Sequence, residues 1–447
     1  MTIPTPRQED QGQTLEPSAK QGQPKRRARK AAFAAAISTS LEWYDFFIYA
    51  TAAALVFNAT FFATDSEVVA ALNSFATVAV GFVARPIGGI IAGHYGDRYG
   101  RKPVLVAAIL LMGVATTLIG LVPNTSVVWL APALLVLLRI CQGLAVGGQW
   151  GGAVLLAIEY APENRRGFYG SFAQLGIPIG IVLGNSVFLL VSQTVSADSF
   201  MSWGWRVPFW ISLLMIVVAV AIHRYLEETP EFQEVEAKRE AAPTPAASPV
   251  LHVLRNNLGT VLLAGGTYLA GLFVFYITIT GAMQVATTNL GIERSTVLWI
   301  VLAAVGITAV MVPLTAYLSD LYGRKLIYGI GIVGIGVWAV PMCLLIASAH
   351  PDNIWPLAIA LIACCVILSF QSGPQAALFA ELFPAEVRYS GASLGYQGAA
   401  IVGGFAPMVM VALVDGNETN LWRVGALIVG LAVVALLCLI VLARRRY

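Results

Sequence analysis

Long runs of apolar residues without a charge constrain this chain more than any other feature. Residues 109–122, 131–138, 211–222 and 426–441 are the clearest of these runs. In hydrocarbon a backbone must satisfy its own hydrogen bonds, so such runs form membrane-spanning helices of about 20 residues. Only 11% of the 447 residues are charged and 58% are hydrophobic, whereas soluble proteins carry about 25% charged residues. The sequence therefore predicts an all-α membrane protein.

Twelve such helices are predicted, six on each side of one long polar connection. Residues 1–30 are polar and are expected to form a disordered tail. The connection over 227–255 is predicted to be a linker, with a surface helix over 227–240. It separates an amino-terminal six-helix bundle over 31–226 from a carboxyl-terminal bundle with a short tail over 256–447. The helices are expected near 32–61, 69–94, 103–122, 127–156, 166–193, 205–225, 256–282, 296–318, 325–348, 355–380, 389–414 and 422–443.

Basic residues are unevenly distributed between the two ends of these helices. Of the 27 Lys and Arg residues, two lie inside predicted helices (Arg85 and Arg139) and three lie at the ends opposite the tail (Arg206, Arg294 and Arg423). The other 22 lie on the side of the amino-terminal tail. Because cytoplasmic loops are enriched in Lys and Arg, that side is predicted to be cytoplasmic, with both termini inside. The expected location is the bacterial cytoplasmic membrane.

Two short motifs occur twice, at almost the same separation. Asp-Arg-Tyr-Gly-Arg-Lys at 97–102 is matched by Asp-Leu-Tyr-Gly-Arg-Lys at 320–325, 223 residues later. Glu-x-x-Pro-x-x-x-Arg at 159–166 is matched at 381–388, 222 residues later. Each motif lies on the same membrane side in both copies, so the two bundles are predicted to be parallel repeats. This arrangement favours a central solute pathway over a catalytic membrane domain.

The segment Gly-x-x-x-Asp-Arg-x-Gly-Arg-Lys at 93–102 resembles the loop motif of the major facilitator superfamily. Shorter segments resemble its metabolite:proton symporter branch: Glu-Trp-Tyr-Asp-Phe at 42–46, Arg-Pro-Ile-Gly-Gly at 85–89 and Gly-Gly-Gln-Trp-Gly-Gly at 147–152. The resemblance covers almost the whole chain and implies the major facilitator fold. It also implies proton-coupled uptake of carboxylates such as shikimate, oxoglutarate and citrate, or of osmolytes such as proline and betaine.

Four ionisable residues lie inside the predicted helices, where a charge is costly and marks a functional candidate. They are Glu42, Asp45, Arg85 and Arg139. At a rise of about 1.5 Å per residue, the last three can meet in the middle to outer part of the membrane. Glu42 lies one helical turn from Asp45 on the same face. The carboxyl-terminal half is neutral at the corresponding positions, so proton coupling is predicted in the amino-terminal half.

Asp45 is predicted to accept the transported proton, and Glu42 beside it is predicted to belong to the same proton-coupling group. Arg139 would keep Asp45 ionised until substrate or a conformational change separates them. The resemblance supports this assignment, since proton-coupled members of the superfamily use a first-helix aspartate and a fourth-helix arginine; a permanent structural ion pair is the alternative. Arg85 is the candidate for binding a substrate carboxylate through its guanidinium fork, and a pairing with Glu42 or Asp45 is its alternative.

Neutral polar and aromatic residues are expected to bind the rest of the substrate. Taken singly, each is more often a packing residue than a ligand. The candidates are Gln142, Gln149, Trp150, Tyr268, Tyr276, Gln284, Gln371, Gln375, Tyr396 and Gln397.

The repeated motifs are expected to form a cytoplasmic gate. Asp97 can accept hydrogen bonds from a nearby arginine and from the amino-terminus of a neighbouring helix. Glu159 with Arg388, and Glu381 with Arg166, could pair between the halves. The alternative is that the basic residues only set the orientation in the membrane. The candidate gate residues are Asp97, Arg98, Arg101, Glu159, Arg166, Asp320, Arg324, Glu381 and Arg388.

Glycines recur at every fourth position of two predicted helices. Such faces let helix backbones approach closely, which suits bundles that move against each other. They are Gly143, Gly147 and Gly151 in the fourth helix and Gly176, Gly180 and Gly184 in the fifth.

No cofactor is expected apart from the proton as the coupling ion. The sequence has no ATP-binding loop, metal-ligand cluster or nucleophile motif, so an enzyme is not predicted. The leading prediction is proton-coupled symport of a small organic acid by alternating access. An osmolyte carrier and a solute-binding membrane sensor are the alternatives. The expected partners are the organic acid, protons and the lipid bilayer, without nucleic acid, and the chain is expected to act as a monomer.

Overall fold

The structure, a computed structural model, describes residues 22–57, 60–62, 67–123, 129–241, 249–415 and 417–444. Twelve long helices follow the predicted order. They are α1 (Gly22–Ala52), α2 (Glu67–Tyr99), α3 (Arg101–Ile119), α4 (Leu130–Glu159), α5 (Arg166–Thr194), α6 (Leu213–Tyr225), α7 (Leu258–Tyr276), α8 (Arg294–Tyr322), α9 (Arg324–Ala347), α10 (Trp355–Glu381), α11 (Arg388–Gly404) and α12 (Leu421–Arg444).

Shorter helices extend or connect these twelve. Val207–Ile211 precedes α6, Ala282–Thr288 extends α7 and Ala406–Val414 follows α11. Ala197–Ser202 is a short helix in the connection before α6, and Pro249–His252 leads through Val253–Asn257 into α7. Within the described ranges, ten helical segments are long and apolar enough to cross a membrane; α1 and α2 complete the set of twelve.

The amino-terminal polar segment is helical over a stretch for which the sequence predicts disorder. The helix α1 begins at Gly22, so the expectation of disorder is wrong for residues 22–30, where alanine and basic residues of high helix propensity continue the helix. There Ala28 and Ala32 belong to a buried apolar cluster that includes Tyr169 of α5. Residues 1–21 of the predicted tail lie outside the described chain. The connection between the halves contains a linker helix, Pro230–Ala241, with proline at its first position, where a missing N–H costs nothing.

The glycine faces bring helix pairs into backbone contact, as predicted. In α4, a Cβ added at Gly147 would overlap the carbonyl oxygen of Arg85 and lie 2.6 Å from the amide nitrogen of Gly89. In α5, a Cβ added at Gly176 would lie 2.5 Å from the amide nitrogen of Ser40. Because α2 packs along α4, and α1 packs along α5 and also contacts α4, the helices α1, α2 and α4 surround one space.

The two bundles meet along two pairs of surfaces. The helix α2 packs along α11, and α5 packs along α8 and α10. We call the membrane side that carries the loop motifs at 97–102 and 320–325 the basic face. At this face the repeated motifs make contacts between the bundles.

Candidate functional site

Asp45 lies at the centre of a buried hydrogen-bonded cluster. Its carboxylate accepts from the Gln142 amide, at 2.9 Å and 3.0 Å to its two oxygens, and from the Thr116 hydroxyl. Arg139 Nη1 lies 4.0 Å from Asp45 Oδ2 and donates to Gln142 Oε1 at 3.1 Å. Asp45 and Arg139 therefore meet as predicted, at the limit of a direct ion pair, with Gln142 joining them.

The guanidinium of Arg139 has aromatic partners besides Asp45. Its Cζ lies 4.3 Å from the Tyr49 ring centre and 5.8 Å from that of Phe46. The Tyr49 hydroxyl donates to Thr77 at 2.7 Å, which fixes the ring. Cation–π contacts of this kind stabilise a desolvated arginine by about 2 kcal/mol. Arg139 thus keeps favourable contacts when Asp45 is neutral.

Arg85 forms the second buried pair, with Glu42. Arg85 Nη2 lies 2.9 Å from Glu42 Oε1, and the two residues are 6% and 2% exposed. The guanidinium also lies 5.2 Å from the Phe82 ring centre and close to Tyr276. Of the alternatives stated for Arg85, the structure shows the pairing with Glu42.

Both pairs line one charged cavity in the amino-terminal bundle. Its walls are Glu42, Trp43, Asp45, Phe46, Gly81, Phe82, Arg85, Arg139, Gln142, Gly143 and Val146. A second, neutral cavity lies mainly among helices of the other bundle and includes Gln174, Tyr268, Phe275, Cys365, Ser369, Ser372 and Tyr396. Trp43 lines both cavities and packs edge-on against Phe275, with ring centres 5.3 Å apart. The Trp43 ring therefore separates a charged compartment from a neutral one.

The predicted substrate-binding residues fall into different environments. Tyr268 and Tyr396 line the neutral cavity, and Gln142 belongs to the Asp45 cluster. Trp150 stacks on Tyr396 with ring centres 4.0 Å apart, so it supports that wall. Tyr276 contacts Arg85 at the border of the charged cavity.

The remaining glutamines bind other helices instead of facing either cavity. Gln149 donates to the Ser38 carbonyl at 2.6 Å, Gln371 to the Thr267 carbonyl at 2.8 Å and Gln397 to the Gly147 carbonyl at 3.3 Å. Gln375 accepts from Gln174 at 2.8 Å across the two bundles. Gln284 is exposed. The carbonyls of Ser38, Thr267 and Gly147 lie within helices, so each uses its second lone pair to accept from a glutamine of a neighbouring helix.

Each loop-motif aspartate binds the amino-terminus of a helix in the other bundle. The Asp97 carboxylate accepts from the backbone amides of Tyr389 and Ser390, at 3.0 Å and 2.9 Å. Asp320 accepts from the amides of Gly167 and Phe168, both at 2.8 Å. These amides are the first, otherwise unpaired donors of α11 and α5, where a negative charge is favoured. The basic face is therefore closed by two equivalent contacts.

The arginines at the basic face follow the prediction only in part. Glu159 lies 3.5 Å from Arg388, as predicted, and also 3.5 Å from the buried Arg101. Arg101 in turn donates to the Ala385 carbonyl at 2.6 Å. The predicted pairing of Glu381 with Arg166 is wrong. Glu381 pairs with Arg324 of its own bundle at 3.0 Å, as the adjacent helix end brings Arg324 closer.

Arg166 and Arg98 also differ from the prediction. Arg166 binds Glu231 of the linker helix at 2.5 Å, because that helix crosses the basic face between the two bundles. Arg98 is exposed and lies over the Tyr99 ring, 5.5 Å from its centre, so it takes no part in the closed contacts.

The linker helix contributes residues that the sequence analysis missed. Glu231 pairs with Arg166 of the first bundle and with Arg388 of the second. Phe232, 2% exposed, lies under the Arg101 guanidinium at 5.0 Å. Just before this helix, burial raises the pKa of the Glu228 carboxyl above its usual range. A linker glutamate resembles any surface charge in sequence, so no local signal identified Glu231.

Comparisons with known proteins agree with this architecture. A family model described as "Sugar (and other) transporter" matches residues 31–248, and one described as "Major Facilitator Superfamily" matches residues 269–447. The shikimate transporter of Escherichia coli is 38% identical over 390 residues, 87% of this chain and 88% of the relative. The chain belongs to the major facilitator superfamily. This confirms the family predicted from the loop motif.

Other relatives are transporters as well. The inner membrane metabolite transport protein YhjE of Escherichia coli is 40% identical over 420 residues, 91% of this chain and 93% of the relative. The proline/betaine transporter of the same organism is 34% identical over 418 residues, 92% and 82% of the two chains. The proton:xylose symporter XylE bound to 6-bromo-6-deoxy-D-glucose shares the fold, with TM-score 0.77 and 20% identity over 92% of this chain and 95% of that one. This member of the superfamily is a membrane transporter and not an enzyme.

The linker helix gives a first test of the closed contacts in this facilitator. Glu231→Gln should open the basic face more often, because it removes one charge that binds an arginine of each bundle. A partly buried, charge-assisted contact of about 1–2 kcal/mol corresponds to a roughly five- to thirtyfold change in population. The measurement is the alkylation rate of Cys introduced by Ser393→Cys, since Ser393 is fully buried between α11 and α4.

Glu234→Gln is the matched control, because Glu234 lies on the same helix and is exposed. Its labelling rate should equal that of the parent. Equal rates in the two glutamine variants would show that the linker helix does not hold the face closed.

Proposed function

We propose that this transporter is a proton-coupled symporter that takes up a small organic acid such as shikimate by alternating access. The observation that carries the proposal is the charged cavity, in which Asp45 is joined to Arg139 through Gln142 and which Arg85 also lines. A carboxylate that binds a proton and an arginine that binds an anion are the two groups that such symport requires. The shikimate transporter's similarity over 87% of the chain supports an organic acid as substrate.

In this proposal the basic face is cytoplasmic, in keeping with the excess of Lys and Arg there. The contacts of Asp97, Asp320 and Glu231 then close the pathway on the cytoplasmic side. Arg85 binds the substrate carboxylate in the charged cavity, and the neutral cavity around Tyr268 and Tyr396 accommodates the uncharged part. Asp45 takes up the proton from the outside and releases it when the opposite side opens.

The test is uptake by the purified protein reconstituted in liposomes with an imposed pH gradient. Radiolabelled shikimate, oxoglutarate, citrate, proline and betaine are compared. We expect an acid to accumulate inside the liposomes above its outside concentration. This accumulation should be lost when a protonophore removes the pH gradient. Liposomes with equal pH on both sides are the control. Accumulation of proline or betaine alone would indicate an osmolyte carrier, and binding without accumulation would indicate a sensor.

A further inference from the structure

Glu42 is a buried carboxylate for which the function proposed above leaves no role. Its Oε1 binds Arg85 at 2.9 Å. Its Oε2 is buried and has no hydrogen-bond partner among the described residues. A buried, unpartnered oxygen of an ionised group is unfavourable, and this one belongs to a residue that lines the charged cavity.

Substrate and Glu42 compete for the same guanidinium. One side of Arg85 faces the Phe82 ring at 5.2 Å and another the Tyr276 hydroxyl, which limits the directions open to a second anion. A substrate carboxylate that binds the fork of Arg85 therefore replaces Glu42 there. Two carboxylates at one buried arginine repel each other, and one of them is then driven to bind a proton.

We propose that Glu42 is a second proton acceptor, which takes up one proton when a substrate carboxylate replaces it at Arg85. The step is balanced in charge. Glu42 passes from carboxylate to carboxylic acid with a proton from the aqueous side, and the substrate anion supplies the negative charge beside Arg85. The inference rests on the proposed function and deepens it, because it makes the binding of a carboxylate itself proton-dependent.

The other charged and titratable groups around Glu42 do not take part in this exchange, which involves Glu42 and Arg85. Asp45 lies one turn along α1 but is bound to Thr116 and Gln142. Arg139 on α4 lies beside Asp45. The phenols of Tyr276 on α7 and Tyr396 on α11 also face the pair, and neutral phenols do not replace a negative charge. Among the described residues, Arg85 is the ion-pair partner of Glu42.

The exchange also separates anions from zwitterions. A betaine that places its carboxylate on Arg85 brings its own cation close to Glu42, which then stays ionised and takes up no proton. A monocarboxylate offers no such cation. Glu42 therefore determines whether substrate binding consumes a proton.

The experiment compares the wild type with Glu42→Gln in detergent solution. Shikimate and betaine are the probes, binding is measured by calorimetry over a range of pH, and proton uptake is measured with an indicator dye in weak buffer. We expect one proton fewer per bound shikimate in the variant. The wild type's affinity for shikimate should fall by up to tenfold for each unit by which the pH rises, because binding takes up a proton. The affinity of the variant should not depend on pH in this way, and above neutral pH it should exceed that of the wild type. Its betaine affinity should be about tenfold lower, as a lost charge–charge contact of ~1.4 kcal/mol predicts.

Two further variants keep the result interpretable. Asp45→Asn removes the neighbouring carboxylate and should retain the proton uptake that depends on Glu42. The double variant Glu42→Gln with Arg85→Gln leaves no unpaired charge to disturb folding. It should show no measurable binding of shikimate. Melting temperatures establish that each variant is folded.

Proton uptake and pH dependence equal to the wild type in Glu42→Gln would overturn the inference while leaving symport intact. Failure of the wild type to bind or accumulate any of the acids would overturn the proposed function, and the inference with it.

Discussion

Replacing Asp45 with asparagine should lower accumulation of the organic acid about tenfold per unit of pH gradient, while leaving exchange of substrate across the membrane intact. Asparagine keeps the size of the side chain and still accepts from Thr116 and Gln142, but it cannot bind and release a proton. Arg139 keeps its contact with the Tyr49 ring at 4.3 Å, which limits the loss of stability. A pH gradient of about one unit contributes ~1.36 kcal/mol per proton, or about tenfold in concentration. The accumulation ratio of the variant should fall by about that factor, while the coupling through Glu42 remains.

The measurement is radiolabelled uptake into liposomes with the pH gradient, beside counterflow at equal pH. Asp198→Asn is the matched control, because Asp198 is an exposed carboxylate on Ala197–Ser202, away from the cavities. It should accumulate substrate as the parent does. Gradient-driven accumulation by Asp45→Asn at the parental level would exclude Asp45 as the coupling residue and favour a structural ion pair.

Gly147→Ala should strongly destabilise the amino-terminal bundle. The new methyl group would overlap the carbonyl oxygen of Arg85 and lie 2.6 Å from the amide of Gly89. Both atoms belong to the backbone of α2, so no side-chain rotation relieves the overlap and the two helices must separate. Overpacking of a core costs about 1–3 kcal/mol and occasionally more. The overlapping carbonyl belongs to Arg85, so its displacement also moves the Arg85 side chain. We therefore also expect loss of substrate binding.

Melting in detergent and the yield of monodisperse protein measure this effect. Gly306→Ala in α8 is the control, since a Cβ there meets nothing within 4 Å. Alanine is favoured over glycine inside a helix by about 1 kcal/mol, so this variant should melt at the same or a higher temperature. A Gly147→Ala protein as stable as the parent would show that α2 and α4 are not in close backbone contact.

The sequence was sufficient for the features that depend on patterns along one helix. Apolar run length gives the twelve helices, and the rise per residue places Asp45 and Arg139 at one depth. The glycine spacing of α4 predicts close contact with a neighbour. The repeat of Asp97 as Asp320 predicts equivalent contacts in both halves, and each carboxylate indeed binds the start of a helix in the other bundle.

The features that the sequence left open depend on rotation of a helix and on the path of connections. Gln149 and Gln371 are as polar as Gln142, yet they bind backbone carbonyls of neighbouring helices, because helix rotation decides which side faces a cavity. The partner of Arg166 is Glu231, because the linker helix crosses the basic face, and nothing in the local sequence fixes that path. Thr116 carried a weak signal, as a hydroxyl within an apolar helix.

The two buried pairs have an electrical consequence. With Glu42 and Asp45 ionised, their charges cancel those of Arg85 and Arg139, so reorientation of the empty carrier moves no net charge of this cluster through the membrane field. Each uncompensated charge would change the energy of that movement by ~2.3 kcal/mol per 100 mV. The return of the empty carrier should therefore proceed at a rate independent of membrane voltage. Any voltage dependence of turnover should arise in the step that carries substrate and protons.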